Sequence, residues 1–137
     1  MTLATPATAT ATAPVQSITW FEIPCQDLDG AQRFYEAVLG RPMQRTDFGG
    51  DPLAVFAYDR PATGGCLVSG PTRKTAGDAG VRIYLDCGSS VEAALARVSA
   101  AGGTAQAGVV ELPHGIGWIG HLRDLDGNLV GLHAPGR

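Results

Sequence analysis

The side chains of this sequence that can do chemistry are few, and most of them stand in apolar stretches typical of β-strands. Glu22 lies in one such stretch, Arg82 in another and His133 in the last one of the chain. A guanidinium can hold a carboxylate by two hydrogen bonds, a carboxylate acts as a base where burial raises its pKa, and an imidazole exchanges protons near neutral pH. These residue types predict a site for a small anionic molecule, with acid–base chemistry within its reach.

The alternation of side chains along a strand decides which of these residues can act together. Glu22 shares a face with Trp20, and Arg82 shares a face with Tyr84. A surface carrying these four side chains and His133 would be aromatic and polar, with one fixed positive charge. Each of these residues could instead have a purely structural role. Trp20 would then be part of the core, and Glu22 and Arg82 would neutralise each other. Tyr84 would only pack against its neighbours, and His133 would be exposed at the end of a strand.

The predicted strand at residues 117–123 offers two further candidates on opposite sides. Trp118 and His121 differ in parity, so a site can include one of them, and we take Trp118 as a ligand-binding residue. His114 lies in the glycine-rich approach to this strand. We expect it to be an exposed loop histidine, with a place at the mouth of the site as the alternative.

The first half of the chain predicts a strand, a helix and a hairpin in that order. Residues 17–23 are mostly β-branched or aromatic and predict a strand. An apolar stripe with spacings of three and four predicts a helix that Asp27 caps and Gly40 ends. Two short extended segments follow at 53–58 and 65–69, with the turn-rich sequence DRPATGG between them.

The second half repeats this order. Residues 81–87 predict a strand, and Ser89 with Glu92 forms a capping box that begins the next helix. The Gly102 and Gly103 pair predicts its end. A hairpin then closes the repeat.

The closing hairpin pairs residues 117–123 with residues 128–133. The DLDG sequence joins them, and we expect Asp126 and Gly127 to take the positive φ angles of a tight turn. The same order of elements occurs twice, which indicates an internal duplication.

The duplication predicts an α+β fold made of two βαβββ modules in a single domain. We place the domain at residues 16–136 and its modules at 16–70 and 80–136, joined by the polar segment GPTRKTAGDAG. Residues 1–15, rich in Ala, Thr and Pro, are expected to form a flexible low-complexity tail.

Composition narrows the functions that this domain can have. The 137 residues are 45% hydrophobic and 17% charged, which is typical of one globular domain. A formal net charge of −3 with scattered Lys and Arg gives no basic stripe, so we expect no nucleic-acid partner.

Three cysteines without a CxxC spacing favour a reducing cytoplasm. Without a signal peptide or a long apolar run, we expect neither export nor a membrane span.

Three motifs in this order carry a resemblance to a known family: DLDGAQRFYEAVLGRPM, SSVEAALARVSAAGG and GIGWIGHLRDLDGNLVGLH. Through them the sequence resembles the vicinal oxygen chelate superfamily, the group of glyoxalase I, bleomycin-resistance proteins and extradiol dioxygenases, from Ser17 to about Pro135. The resemblance implies that the two modules form a cupped mixed sheet with the ligand inside. It also implies a homodimer, because sheets of this family commonly pair to complete the cup or cover an edge.

In metal-using members of the superfamily, four strand residues, typically His and Glu, hold a divalent ion inside the cup. By offset from the motifs, the corresponding positions here are Trp20, Gly65 or Cys66, Arg82 and Gly131. Apart from Cys66 these residues offer no metal ligand, and a guanidinium would repel a metal ion. We therefore expect no metal, no other cofactor and no glyoxalase I activity.

The resemblance also gives the candidate residues their roles in the cup. Three side chains would act on the ligand, with the arginine clamping a carboxylate or an enolate: Glu22, Arg82 and His133. Four others would line the ligand: Trp20, Tyr84, Cys66 and Trp118. For Cys66 the alternative is a buried small hydrophobic residue. We expect the ligand to be a small oxygenated metabolite, with an anion as the first candidate, and the reaction to be a metal-independent one of the lyase or isomerase kind. A displaced metal site at Glu22 and His133 is the alternative.

Two other functions stay open at this point. The first is a sequestering protein of the bleomycin-resistance type, which traps a drug or metabolite without reaction. Cationic drugs call for a strongly acidic cup, so the net charge of −3 and an arginine in the cup speak against such ligands. The second is a ligand-sensing or structural module whose Ala/Thr/Pro tail contacts a partner.

Overall fold

The first sheet is built from the first half of the chain. The computed structural model describes residues 15–48, 50–71 and 80–137. The elements of the first half of the chain are β1 (Trp20–Pro24), α1 (Leu28–Leu39), β2 (Gln44–Phe48), β3 (Asp51–Val55) and β4 (Gly64–Val68). The strand order is β1–β4–β3–β2, in which β1 runs parallel to β4 and the other neighbours are antiparallel. This is one βαβββ unit.

The second sheet repeats the arrangement with one interruption. Its elements are β5 (Tyr84–Asp86), α2 (Val91–Val98), β6 (Thr104–Ala105), β7 (Val110–Leu112), β8 (Gly117–Arg123) and β9 (Leu129–Ala134). The order is β5–β9–β8–β6, and β7 also pairs with β8. The outer partner of β8 is thus divided into β6 and β7, with Gly108 at a φ of 94° between them. The predicted α+β class with two βαβββ modules is confirmed.

Two local predictions need correction. The residue that caps α2 is Ser90, whose Oγ accepts a hydrogen bond of 3.1 Å from the backbone N–H of Ala93, so the cap lies one residue beyond Ser89. In the last hairpin Gly127 has a φ of 83°, but Asp126 does not take a positive φ. The connection is longer than a two-residue turn, and its geometry needs one left-handed residue.

The helices pack on one side of both sheets and enclose an apolar core that the two halves share. Fully buried residues of both halves meet there: Phe34 and Tyr35 of α1, Val98 of α2, Leu67 of β4 and Leu132 of β9. Burying an apolar side chain of this size stabilises the folded state by roughly 1.5–3 kcal/mol. The shared core fixes the two sheets relative to each other.

A buried hydrogen-bond network connects the hairpin of β8 and β9 to α1 and β1 in the first half of the chain. Asp124 Oδ2 accepts hydrogen bonds from the Tyr35 hydroxyl at 2.8 Å and from Asn128 Nδ2 at 2.9 Å. Asp124 Oδ1 accepts from the backbone N–H groups of Asp126 and Asn128, both at 2.9 Å. Asn128 Nδ2 also donates to the Pro24 carbonyl at 3.0 Å. Burial, followed by the charge of Asp124, raises the pKa of Tyr35 well above 10.0.

The predicted tail and linker fall largely outside the described residues, which include only Val15 of the tail and Gly70, Pro71 and Gly80 of the linker. Within the described part of the chain, no helix has the length and apolar character needed to cross a membrane.

Candidate functional site

The face of the second sheet that points away from the helices gathers the polar residues. A Cβ placed on Gly120 would lie 2.7 Å from Leu95 Cδ1, so Gly120 faces α2. Because side chains alternate along β8, His121 points to the other side, which we call the outer face. His121 pairs with Gly131 of β9, and Gly131 pairs with Tyr84 of β5. Tyr84 and His121 therefore lie on the outer face together.

Tyr84 and His121 form a close polar pair. Their Oη and Nε2 atoms are 2.8 Å apart, and their rings meet edge to face with centroids separated by 5.4 Å. The Tyr84 ring lies across Gly131, where a Cβ would overlap it. Any larger residue at position 131 would push the ring away. Tyr84 is still 44% exposed, so a ligand can reach it.

His121 is held in its neutral form. Partial burial is the main cause that lowers its pKa below 6.5, and the nearby Arg82 guanidinium lowers it further. At pH 7 the ring therefore has one nitrogen that donates and one that accepts. Arg82 itself is exposed and lies two residues before Tyr84, the first residue of β5, so its charge is available to a ligand.

His133 lies at the edge of the same outer face. It pairs with Asp86 of β5 and with Ile119 of β8. Its Nε2 is 2.8 Å from the carbonyl oxygen of Ile116. Because a carbonyl only accepts, Nε2 carries the hydrogen, and the ring is turned toward the loop that leads into β8.

The candidates of the first sheet lie on the side of that sheet away from the helices. Trp20 is 39% exposed and packs edge-on against Tyr58, with ring centroids 6.0 Å apart. Glu22 pairs with Cys66 across β1 and β4. Cys66 is fully buried in a small cluster with Leu53 and Val68 of the first sheet. The structure thus exposes Trp20 and Glu22 and encloses Cys66.

A cavity of about 270 Å³ lies between the two halves. Glu22 and Pro24 line one side of it, and Val81, Ile83 and Leu129 line the other. Val81 and Ile83 flank Arg82 in the chain, so the first-sheet carboxylate and the second-sheet guanidinium belong to neighbouring parts of the molecule.

Trp118 lies on the opposite face of the second sheet from Tyr84. It pairs with Ala134, which is part of the helix-facing core, and packs partly buried against that core. The Arg137 guanidinium lies 5.2 Å from the centroid of its ring. The structure therefore places His121, and not Trp118, beside Tyr84.

The alternation in β8 separates Trp118 from His121 correctly, but it does not say which of the two faces a helix covers. The signal that could have decided this is Gly120. A glycine in the middle of a strand marks the point where another element comes close, and here that element is α2.

The residues present do not fit the superfamily's metal site. Two of the corresponding positions are Trp20 and Arg82, the third is Gly65 or the enclosed Cys66, and the fourth is Gly131 beneath the tyrosine ring. Across residues 15–48, 50–71 and 80–137, no three His, Cys, Asp or Glu side chains come together as metal ligands.

Comparison with known proteins agrees with this fold. The N-terminal family model described as bleomycin resistance protein-like matches residues 17–51. No curated protein sequence matches the chain.

Three solved structures illustrate the similarity. TnmS3, an antibiotic binding protein from a Streptomyces species, is 25% identical over 90% of this chain and 98% of its own, with a TM-score of 0.65. A glyoxalase/bleomycin resistance protein from the same genus is 26% identical over 85% and 99%, with a TM-score of 0.63. A glyoxalase/bleomycin resistance protein from Albidiferax ferrireducens is 20% identical over 89% and 99%, with a TM-score of 0.65.

The fold is thus that of the glyoxalase, bleomycin-resistance and dioxygenase domain proteins. The resemblance to the vicinal oxygen chelate superfamily that the three sequence motifs carry is confirmed by the family model and by these structures.

Proposed function

We propose that this protein binds a small oxygenated anion on the outer face of its second sheet and exchanges a proton with it without a metal ion. The observation that carries the proposal is the hydrogen-bonded pair of Tyr84 and His121, which is accessible and lies near the charge of Arg82. The ring of Tyr84 offers a flat apolar surface beside these polar groups. Such a combination suits a planar carboxylate or enolate.

The neutral state of His121 lets the pair adapt to the ligand. If Nε2 carries the hydrogen, it donates to the Tyr84 oxygen, and the tyrosine hydroxyl is then able to donate to a ligand oxygen. An anionic ligand selects this arrangement, because its oxygen only accepts. Arg82 supplies the compensating charge and adds donors in a fixed planar geometry.

The other tautomer supports proton removal. If Nε2 is unprotonated, it accepts the hydrogen of the Tyr84 hydroxyl. A ligand proton passed to the tyrosine oxygen is then balanced by transfer of the tyrosine proton to His121, which becomes an imidazolium ion. The reverse steps return the proton at a second position. The sequence of transfers is that of an isomerase.

Glu22 and His133 remain candidates for a supporting part in this chemistry. Glu22 lines the cavity whose other wall contains the neighbours of Arg82, so a ligand extending into that cavity would meet the carboxylate. His133 is oriented by the Ile116 carbonyl at the edge of the same face. Trp20 would contact the ligand from the first sheet.

The test uses a panel of small hydroxy- and keto-carboxylates in D₂O. Proton NMR is expected to show a ligand that binds and exchanges a carbon-bound hydrogen for deuterium. Arg82→Gln should weaken binding by about tenfold or more, the scale for losing a charge-assisted pair, whereas Arg33→Gln on the exposed side of α1 should not. Tyr84→Phe and His121→Gln should abolish exchange while binding persists. Exchange that survives both substitutions would overturn the assignment.

Sequestration of an antibiotic is the second candidate function. TnmS3, an antibiotic binding protein, is 25% identical to this chain over almost its whole length. The exposed aromatic rings of Trp20 and Tyr84 would suit a large planar ligand. A ligand of that kind that binds tightly and leaves unaltered, with no deuterium incorporated, would favour this function over the catalytic one.

A further inference from the structure

A second and larger cavity lies away from the Tyr84 and His121 pair. Its volume is about 450 Å³, within the range of small-molecule sites. It lies between the end of α1, the loop joining β3 to β4, and β5. It reaches the helix-facing side of the sheets, because Phe56 and Leu85 of its lining belong to the shared core.

The floor of this cavity is apolar and partly aromatic. Phe21 and Phe56 lie in contact, with ring centroids 5.6 Å apart. Leu39 and Met43 come from the end of α1 and the segment after it, and Leu85 comes from β5. These side chains offer an apolar and partly aromatic surface on which a flat hydrocarbon ring can pack.

The wall formed by the loop is fixed in place. The Thr63 hydroxyl lies 3.0 Å from Gln16 Oε1 and 3.1 Å from the Ile18 carbonyl oxygen, so the loop is tied to the chain entering β1. The Tyr58 ring lies over Gly64, where a Cβ would come within 2.6 Å of it. A preformed wall lowers the entropic cost of binding.

Arg41 is the cation among the residues that line the cavity, whose lining also includes the exposed Asp59 and Asp86. Its side chain is 39% exposed, against 75% for Asp86, and the closest guanidinium to carboxylate distance between them is 3.8 Å. The Asp86 carboxylate also accepts a hydrogen bond of 3.0 Å from the Gly88 N–H. Arg41 also donates a hydrogen bond of 3.4 Å to the Asp86 backbone carbonyl, and its remaining donors can turn to a ligand at the rim of the apolar floor.

We propose that the Arg41 cavity is a second binding site, for a small aromatic carboxylate whose ring lies against Phe21 and Phe56 and whose carboxylate meets Arg41. It is independent of the proposed chemistry at Tyr84 and His121.

The experiment is calorimetric titration of the full chain with 2-naphthoate, 2-naphthalenemethanol and 2-naphthylmethylamine. We expect naphthoate to bind one per chain at least about tenfold more tightly than the alcohol, which lacks the charge. Arg41→Met should remove that advantage and leave alcohol binding unchanged. Arg33→Met, on the exposed face of α1, is the matched control and should change neither affinity.

Two further variants test whether the compounds bind in this cavity. Ala62→Phe changes an exposed loop residue that lines the cavity and should block all three compounds without touching the core. Arg82→Gln, which should weaken binding on the outer face, should leave naphthoate binding intact, and this separates the two sites. No naphthoate binding at about 1 mM, tighter binding of the amine, or an unchanged affinity in Arg41→Met would each overturn the proposal.

Discussion

At the scale of single residues, the central feature is a glycine that makes room for a tyrosine. Gly131 lets the Tyr84 ring lie flat on β9, and this position brings the hydroxyl to His121. Partial burial and Arg82 keep His121 neutral. Tyr84 and His121 thus form a polar pair between β5 and β8, which are not neighbours in the sheet, with the charge of Arg82 beside them.

The charge state of His121 is directly measurable. We expect its pKa, followed by NMR titration of the ring protons, to lie below the ordinary 6.5. Arg82→Gln should raise that pKa only in part, because burial is the larger cause and persists, and Arg33→Gln should not change it. A pKa above 6.5 would contradict the environment described for this ring.

The sign of the linked stability follows from this shift. The pKa of His121 is lower in the folded chain than in the unfolded chain, where it is about 6.5. Around and below pH 6.5 the unfolded chain therefore binds a proton at His121 more readily than the folded chain does. The unfolded state therefore takes up more protons in this range, and the contribution of His121 to the free energy of unfolding falls as the pH falls through the lowered folded pKa.

The sequence predicted part of this site and missed the rest for a physical reason. Alternation within a strand placed Tyr84 with Arg82 and separated Trp118 from His121, since those relations are local. Which face a helix covers depends on tertiary packing, and so the choice between Trp118 and His121 needed the structure. Cys66 is enclosed by Val68 of its own strand and by Leu53 of the neighbouring β3, and the second contact depends on how the strands pair.

At the scale of elements, the start of α2 depends on one hydroxyl. Ser90 Oγ accepts from the Ala93 N–H and lies 2.9 Å from the Arg137 carbonyl oxygen, to which it donates. Ser90→Ala should lower the free energy of unfolding by about 1 kcal/mol, the usual cost of losing a cap. Ser89→Ala is the matched control and should have little effect in chemical denaturation. Equal losses in the two variants would contradict the assignment of the cap.

The hairpin between β8 and β9 depends on the buried Asp124 network. Tyr35→Phe removes the hydroxyl that donates to Asp124 Oδ2 and leaves a buried carboxylate with one donor fewer. We expect a loss of about 1–3 kcal/mol in the free energy of unfolding. Tyr58→Phe, at an exposed tyrosine, should change it by less than about 0.5 kcal/mol. If Tyr35→Phe lowers the free energy of unfolding no more than Tyr58→Phe does, this network does not stabilise the fold.

The elements themselves were the most predictable part. The strand at Gly117–Arg123 and the helix at Leu28–Leu39 follow from periodicity and from glycine, because both signals are local. The division of the outer partner of β8 into β6 and β7 was not predicted. Each piece is only two or three residues long, too short for an alternation pattern to show.

At the scale of the whole molecule, the proposed assembly is a homodimer. Several large apolar side chains near the strands β1 and β5 are exposed in the single chain, among them Ile18, Trp20 and Val81. A second copy that covered them would remove apolar area from water. Light scattering at micromolar concentration should give twice the chain mass of 14.1 kDa. A mass equal to that of one chain would contradict the dimer.

The claim on which the proposed function depends is that ligands bind on the outer face of the second sheet. The most direct measurement is amide chemical-shift mapping with a carboxylate that binds, in the unaltered protein and in Gly131→Ala. We expect the shifts to centre on Tyr84, His121 and Gly131. The added Cβ should weaken binding by displacing the tyrosine ring. Shifts confined to the Arg41 cavity or to the helices, or an unchanged affinity in Gly131→Ala, would contradict the claim.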